Sequence, residues 1–245
     1  MGGVIGAVSG KFVLAATGLL FSATVERQKV RAWIDPTAAV SQVSARLAAR
    51  IDKTGQPSAP NSMLVRRRPM TIGIRAETFG VEALSVTTAP LPNGVDFVVG
   101  RDILGAHVFD LNFRSSQIRI ILPYEYKDLT RHMTPVALTP GPDGTWSFSV
   151  AIVGSPSSTA ALQLASPNAV TFNSTPCTGE DRTVPAGPIE IAIGSAELSV
   201  GAVTIVASPI CTPAITIALK AFARRHIILD LPHHCFWIDQ PKPTR

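Results

Sequence analysis

The chain has 245 residues, 46% hydrophobic and only 16% charged, which excludes a disordered polypeptide and leaves room for one large domain or two lobes of about 100–125 residues each. The net charge is +5, but the only dense basic run is Arg66-Arg67-Arg68, with no interleaved aromatics, so no nucleic-acid partner is expected. No apolar run reaches the roughly 18 residues of a membrane span, and 18 glycines and 20 prolines scattered between short Val/Ile/Leu/Thr runs point to an all-β protein with modest helix.

In chain order, Lys11 and the apolar stretch 12–23 have the look of a signal-peptide core, but two buried strands are the preferred reading. The segment LLFSATV (19–25) has a counterpart in WSFSVAI (146–152), and Phe21 fits poorly three places before a cleavage point. The alternation in 29–35 sets Val30, Ala32 and Ile34 on one face of a strand. Val43, Leu47 and Ile51 then fall at helical spacing, predicting a short helix over 41–51. A turn-rich stretch at 52–62 leads into strands at 70–76 and 81–88. Residues 97–105 read as a buried strand entering a short helix, and a hairpin around Arg114-Ser115-Ser116 follows. The polar connector 123–135 marks a lobe boundary, giving lobes at 1–125 and 126–245.

The second half repeats the first. Residues 98–120 lie over 216–238 without a gap, an offset of 118, and the hydrophobic pattern matches position for position. Upstream, Asp35-Pro36-Thr37-Ala38 is set opposite Ala165-Ser166-Pro167-Asn168.

A strand ending in Asp35, a small-residue turn, a short helix, and later Val98-Val99-Gly100-Arg101-Asp102-Ile103-Leu104 together resemble the retropepsin-like and pepsin-like aspartic proteases. The hairpin Val108-Phe109-Asp110 through Ile118-Arg119-Ile120 resembles the closing hairpin of the bacterial members. The resemblance covers nearly the whole chain, once per lobe, and is specific mainly in the first copy. It implies a duplicated, two-lobed all-β barrel fold with a cleft between the lobes, one catalytic loop per lobe, and a flap, placed here at residues 60–80. It also implies an extended peptide as the cleft ligand, bound partly by strand addition.

Aspartic proteolysis needs two carboxylates that share a proton, one acting as base and the other as acid. Asp35 matches the first. Pro36 and Thr37 stand where the family has threonine and glycine, and proline has no N–H to brace the loop. No Asp or Glu occurs between Asp143 and Glu180, so the second loop supplies none. Asp35 also reads as a β-turn acid capping the helix that follows. Asp102 reads as a helix-start carboxylate. Arg101 lacks the family's acidic partner and is left to Asp102, Asp96 or solvent.

The leading expectation is a catalytically degenerate homologue that binds a peptide or protein segment near Asp35, Pro36, Thr37, Ala38, Ser166 and Asn168. The alternatives are an active endopeptidase in which dimerisation supplies a second carboxylate, and a structural module with no cleft ligand. No cofactor or metal is expected: His233 and His234 are adjacent, so on a strand they point opposite ways, and Cys235 beside them adds little. Cys177, Cys211 and Cys235 describe no disulfide framework. The compartment and oligomeric state are not fixed by the sequence.

Overall fold

The structure is a computed structural model that describes residues 11–15, 18–36, 38–52, 62–87, 89–91, 94–141, 144–152, 157–164, 168–173, 189–201, 203–206 and 215–240. The first half builds β1 (Phe12–Ala15), β2 (Gly18–Val25), β3 (Gln28–Ile34), β4 (Gln42–Ser44), β5 (Met63–Ile74), β6 (Glu77–Thr87) and β7 (Phe97–Val99). They run in the order β1-β2-β3-β7-β4-β6-β5, and pairing of β2 with β5 closes the sheet into a barrel. The expected alternation in β3 is present: Val30, Ala32 and Ile34 are buried and the residues between them are not.

A hairpin of β8 (Phe109–Asn112) and β9 (Gln117–Ile120) ends the first half, and β10 (Met133–Ala137) opens the second. The second barrel consists of β11 (Thr139–Pro140), β12 (Trp146–Ile152), β13 (Ser158–Gln163), β14 (Val170–Asn173), β15 (Ile189–Ile193), β16 (Ala196–Val200), β17 (Val203–Val206) and β18 (Ile215–Ala218). The hairpin of β19 (His226–Asp230) and β20 (Cys235–Asp239) joins β8, β9 and β10 in a separate sheet, ordered β10-β20-β19-β8-β9. One continuous apolar core runs through both barrels, with Phe97, Phe109, Phe222 and Phe236 fully buried.

The duplication is written in the hydrogen bonds. Phe12 N–H donates to the Ser116 carbonyl (2.8 Å), as Leu138 N–H donates to that of His234 (2.7 Å). Ser116 and His234, at matching turn positions, both take left-handed backbone, φ 53° and 54°. Phe21 faces Ala32 as Phe148 faces Ala160, which makes 19–25 the counterpart of 146–152 and both of them core strands. The antiparallel pairing of β8 with β19 joins Asp110 to Ile228, with Phe109 against Leu229 and Leu111 against Ile227. At an offset of 118 (110 + 118 = 228), Asp110 thus faces its own counterpart, and the pseudo-twofold axis passes between them.

Three local expectations change. Residues 41–51 are not one helix: Gln42–Ser44 lies between β7 and β6 as β4, and α1 (Ala45–Asp52) begins only where Ser44 Oγ accepts the Leu47 N–H (3.1 Å). The connector contains α3 (Pro123–Thr130), started by a proline at its first position and by Leu122 N–H donating to Glu125 (3.1 Å). The hairpin tip within 60–80 does not overhang Asp35. Its turn at Arg75-Ala76 lies beside the β2–β3 turn, because Thr24 and Val25 pair with Gly73 and Ile72. That is the far end of β3 from Asp35, about 20 Å away at strand rise. The residues that border the Asp35 loop are instead Ser62 and Met63 at the head of β5, through Ser85 and Ser41.

Candidate functional site

Asp35 ends β3. Its N–H donates to the Val99 carbonyl (3.0 Å) and its carbonyl accepts the Ala38 N–H (3.2 Å), so the loop turns back at once toward α2 (Arg101–Leu104). Asp35, Pro36 and Ala38 are half-buried; Thr37 lies outside the described residues.

The loop passes very close to Gly100, the residue that starts α2. A side chain there would meet the Ala38 oxygen at 2.8 Å, the Val40 carbonyl carbon at 2.8 Å and the Ser41 nitrogen at 2.9 Å, all of them backbone. Ser41 is the brace. Its hydroxyl accepts the Gly100 N–H (2.8 Å) and donates to Asp102 Oδ1 (2.6 Å), and the same carboxylate oxygen accepts the Ser41 N–H (3.0 Å) and the Ile103 N–H (2.9 Å). Asp102 is thus a helix-start acid that also clamps the Asp35 loop. Arg101 pairs with neither acid suggested for it: its guanidinium reaches across to the Gly144 turn of the second barrel, and Asp96 is taken by Arg46 (3.0 Å) and Arg50 (3.6 Å).

The second barrel aligns differently from the sequence expectation. β3 runs parallel to β7 with Ile34 beside Val99, and β13 runs parallel to β18 with Leu162 beside Ile217 and Gln163 beside Ala218. Gly100 and Ala218 each cap the helical turn that follows, α2 in one case and the 3-10 helix Leu219–Phe222 in the other. The residue across from that cap is Asp35 in the first barrel and Gln163 in the second, two residues ahead of the Ala165 expected to face Asp35. Gln163 is exposed; Ala165, Ser166 and Pro167 lie outside the described residues, while Asn168 is described, half-buried, just before β14. By the same register Val170 stands for Ser41 and Lys220 for Asp102.

Two polar networks escaped the sequence reading. On the pseudo-twofold, buried Asp110 accepts from His226 Nε2 (2.6 Å) and Arg119 Nε (2.9 Å), and Arg119 also holds Glu125 (2.7 Å). Burial pushes the Asp110 carboxyl upward, but hydrogen bonds and charge from His226 and then Arg119 outweigh it and hold Asp110 below the ordinary carboxylate range. Arg119 likewise lowers Glu125. Near the β19–β20 turn, fully buried Asp230 accepts from the Tyr126 hydroxyl and pairs with His233 Nδ1 (2.8 Å), while Trp237 Nε1 donates to Tyr126 (2.9 Å). Burial and then Asp230 raise the Tyr126 phenol, and they raise the half-buried free thiol of Cys235 in the same order. Cys177 and Cys211 lie outside the described residues. Among the described residues no three His, Cys, Asp or Glu side chains gather as a metal site, and no helix is long and apolar enough to cross a membrane.

The two closed sheets, the intervening hairpin sheet and the repeated strand–loop–strand crossing define the two-lobed fold of the aspartic proteases. The structure of basic 7S globulin from soybean matches with a TM-score of 0.57 over 96% of this chain and 94% of that one, at 10% identity. Conglutin gamma, a basic 7S globulin from lupine seeds, matches with a TM-score of 0.58 over 95% and 94%, at 9% identity. At such identities the likeness is one of fold. No family model and no curated protein sequence matches the chain.

Proposed function

We propose that this protein is an aspartic-protease homologue that holds an extended peptide against the Asp35 loop without hydrolysing it. The observation that carries this reading is the strand register that sets Gln163 in the place of a second acid. A carboxamide does not ionise and cannot take a proton from water, so Gln163 cannot serve as the second, proton-sharing acid of a dyad. Acid and base can then no longer be divided between two groups. A carboxylate and a carboxamide still offer acceptors and donors that suit a peptide group. Trp33 supports the reading. It precedes Asp35 by two residues, on the same side of β3, and packs with Leu20, Val95 and Val98 outside the main core. Its indole N–H is buried with no acceptor among the described residues, and a bound peptide carbonyl would supply one. Both similar structures are named as globulins, and the fold alone does not imply proteolysis.

The test is a mixed peptide library incubated with the protein at acid to neutral pH, with and without a pepstatin-like inhibitor, read for both binding and cleavage. The expected result is binding that weakens in Asp35→Ala, with no cleavage. Inhibitor-sensitive cleavage that disappears in Asp35→Ala overturns the proposal, and absence of any binding points to a structural module.

A further inference from the structure

Arg101 follows Gly100 at the start of α2, and its N–H donates to the Ala38 carbonyl (2.8 Å), so its backbone is rooted in the Asp35 loop. Its side chain leaves that loop for the second barrel. A side-chain carbon on Gly144 would stand 2.2 Å from Nη1 and 2.8 Å from Cζ of Arg101, so the guanidinium lies against a turn kept open by glycine, here at φ 83°. That turn leads into Trp146, which pairs with Leu162, the residue before Gln163. Arg101 therefore joins the loop that carries Asp35 to the end of the second barrel that carries Gln163.

The junction has no polar closure. Arg101 is half-buried, yet among the described residues no carboxylate pairs with it and no acceptor takes a guanidinium N–H. The acids nearest in sequence are engaged elsewhere: Asp102 Oδ1 takes bonds from Ser41 and Ile103, and Asp96 is held by Arg46 and Arg50. Nor does the fold require a cation here. One residue past the cap, the second barrel has Leu219, 1% exposed and part of the core. A charge placed where the repeat buries leucine, half removed from water and without a counter-ion, is costly until a ligand completes it.

We infer that Arg101 recognises an acidic side chain of the peptide held at the Asp35 loop, so that the ligand is a segment with an internal Asp or Glu. This rests on the reading above that a peptide binds at that loop. A peptide lying across both barrels passes the Gly144 turn. There a planar guanidinium with open N–H groups can take one carboxylate through two parallel hydrogen bonds. A side chain fits better than a chain end, because an extended peptide that spans the two barrels continues past Arg101 on either side.

The test uses the full chain and pools of N-terminally labelled, C-terminally amidated octapeptides, alike except that one internal position carries Glu in one pool and Gln in another. A third pool carries Gln and a free C-terminal carboxylate. Binding is read by fluorescence anisotropy. The Glu pool should bind at least about tenfold more tightly than either Gln pool, as a charge-assisted pair in place of a neutral one allows. Arg101→Gln should abolish that preference with unchanged thermal melting, and Arg101→Glu should turn it toward a Lys pool, a reversal that lost packing does not produce. Lys127→Gln on α3, an exposed cation elsewhere, should keep the preference for Glu. Equal binding of the amidated Glu and Gln pools that is lost in Asp35→Ala overturns this inference and leaves the reading of the Asp35 loop in place. A preference that survives Arg101→Gln, or one that follows the free C-terminus in place of the internal Glu, overturns it as well. If no pool binds, both readings fall.

Discussion

In the first barrel the loop after β3 is clamped by side chains. Ser41 bonds Gly100 and Asp102, and Gly100 leaves the space through which the loop passes. In the second barrel the matching cap carries a methyl group, and Ala218 N–H turns to the Ala169 carbonyl (2.9 Å). Val170 and Lys220 stand where the first barrel has the hydroxyl and the carboxylate. The brace and the acid differ together: the barrel that keeps Asp35 keeps Ser41, Gly100 and Asp102, and the barrel with Gln163 has none of the three. A loop that must hold a charged group in one place needs side-chain support, and a loop relieved of that group can be held by backbone alone.

The contrast can be attacked from several sides. The largest effect is expected on the twofold axis, where the network has no mirror image: Val108, Ile228 and Trp237 stand opposite His226, Asp110 and Arg119. Asp110→Asn removes the buried charge held by Arg119 and His226 and should cost about 3 kcal/mol, lowering the melting temperature by about 6–12 °C in a chain of this size. Its pH dependence has a definite sign. The folded carboxyl titrates below its unfolded value, so its contribution is fully present above the ordinary carboxylate range, near pH 4. It is lost as pH falls through the lower folded value. The gap between wild type and Asp110→Asn in thermal melts should therefore be constant from neutrality down to about pH 5 and close below it. A gap that widens on acidification refutes the assignment.

Gly100→Ala comes next. Its new methyl meets only backbone, which yields little, and about 2 kcal/mol should be lost in denaturant unfolding. The reciprocal Ala218→Gly should cost only about 0.5–1 kcal/mol, the ordinary price of a glycine in a regular element. Equal costs would show that the two crossings are packed alike. Ser41→Ala should cost about 1–2 kcal/mol, because it leaves the buried Gly100 N–H without its acceptor, and binding at the Asp35 loop should weaken with it. The smallest change is a gain. Arg75 and Gly194 sit at the same hairpin turn with the same φ of 59°. Arg75→Gly should therefore leave stability unchanged or raise it by up to about 1 kcal/mol.

What could be read from the sequence followed the rigid parts of the repeat. Residues 98–120 and 216–238 are short strands joined by tight turns of equal length, so a single offset aligned them. The loops after β3 and β13 differ in length: five residues separate Asp35 from Ser41 and six separate Gln163 from Val170. Hydrophobic matching slid across that gap and came to rest on Ala165. The hairpin of β5 and β6 was recognisable as two strands, but its direction depends on pairing with β2, nearly fifty residues upstream, which local alternation does not encode. Asp110 and His226 are 116 residues apart, and nothing near either one announces the other. Helix α3 was within reach, since Pro123 and Glu125 are a start signal.

The axis through Asp110 and Ile228 bears on how such a chain can arise. Two free copies of the first half, docked through the same hairpins, would form a symmetric dimer in which each residue on the axis meets itself. Two Asp110 carboxylates would then face each other across the strands, where like charges are destabilising. Joining the halves in one polypeptide lets the second copy carry isoleucine on the axis and histidine two residues before it on the same strand. The single-chain form can therefore keep a polar centre that a homodimer of the first half would have to neutralise, and an endopeptidase assembled from two separate Asp35 lobes would meet that repulsion first.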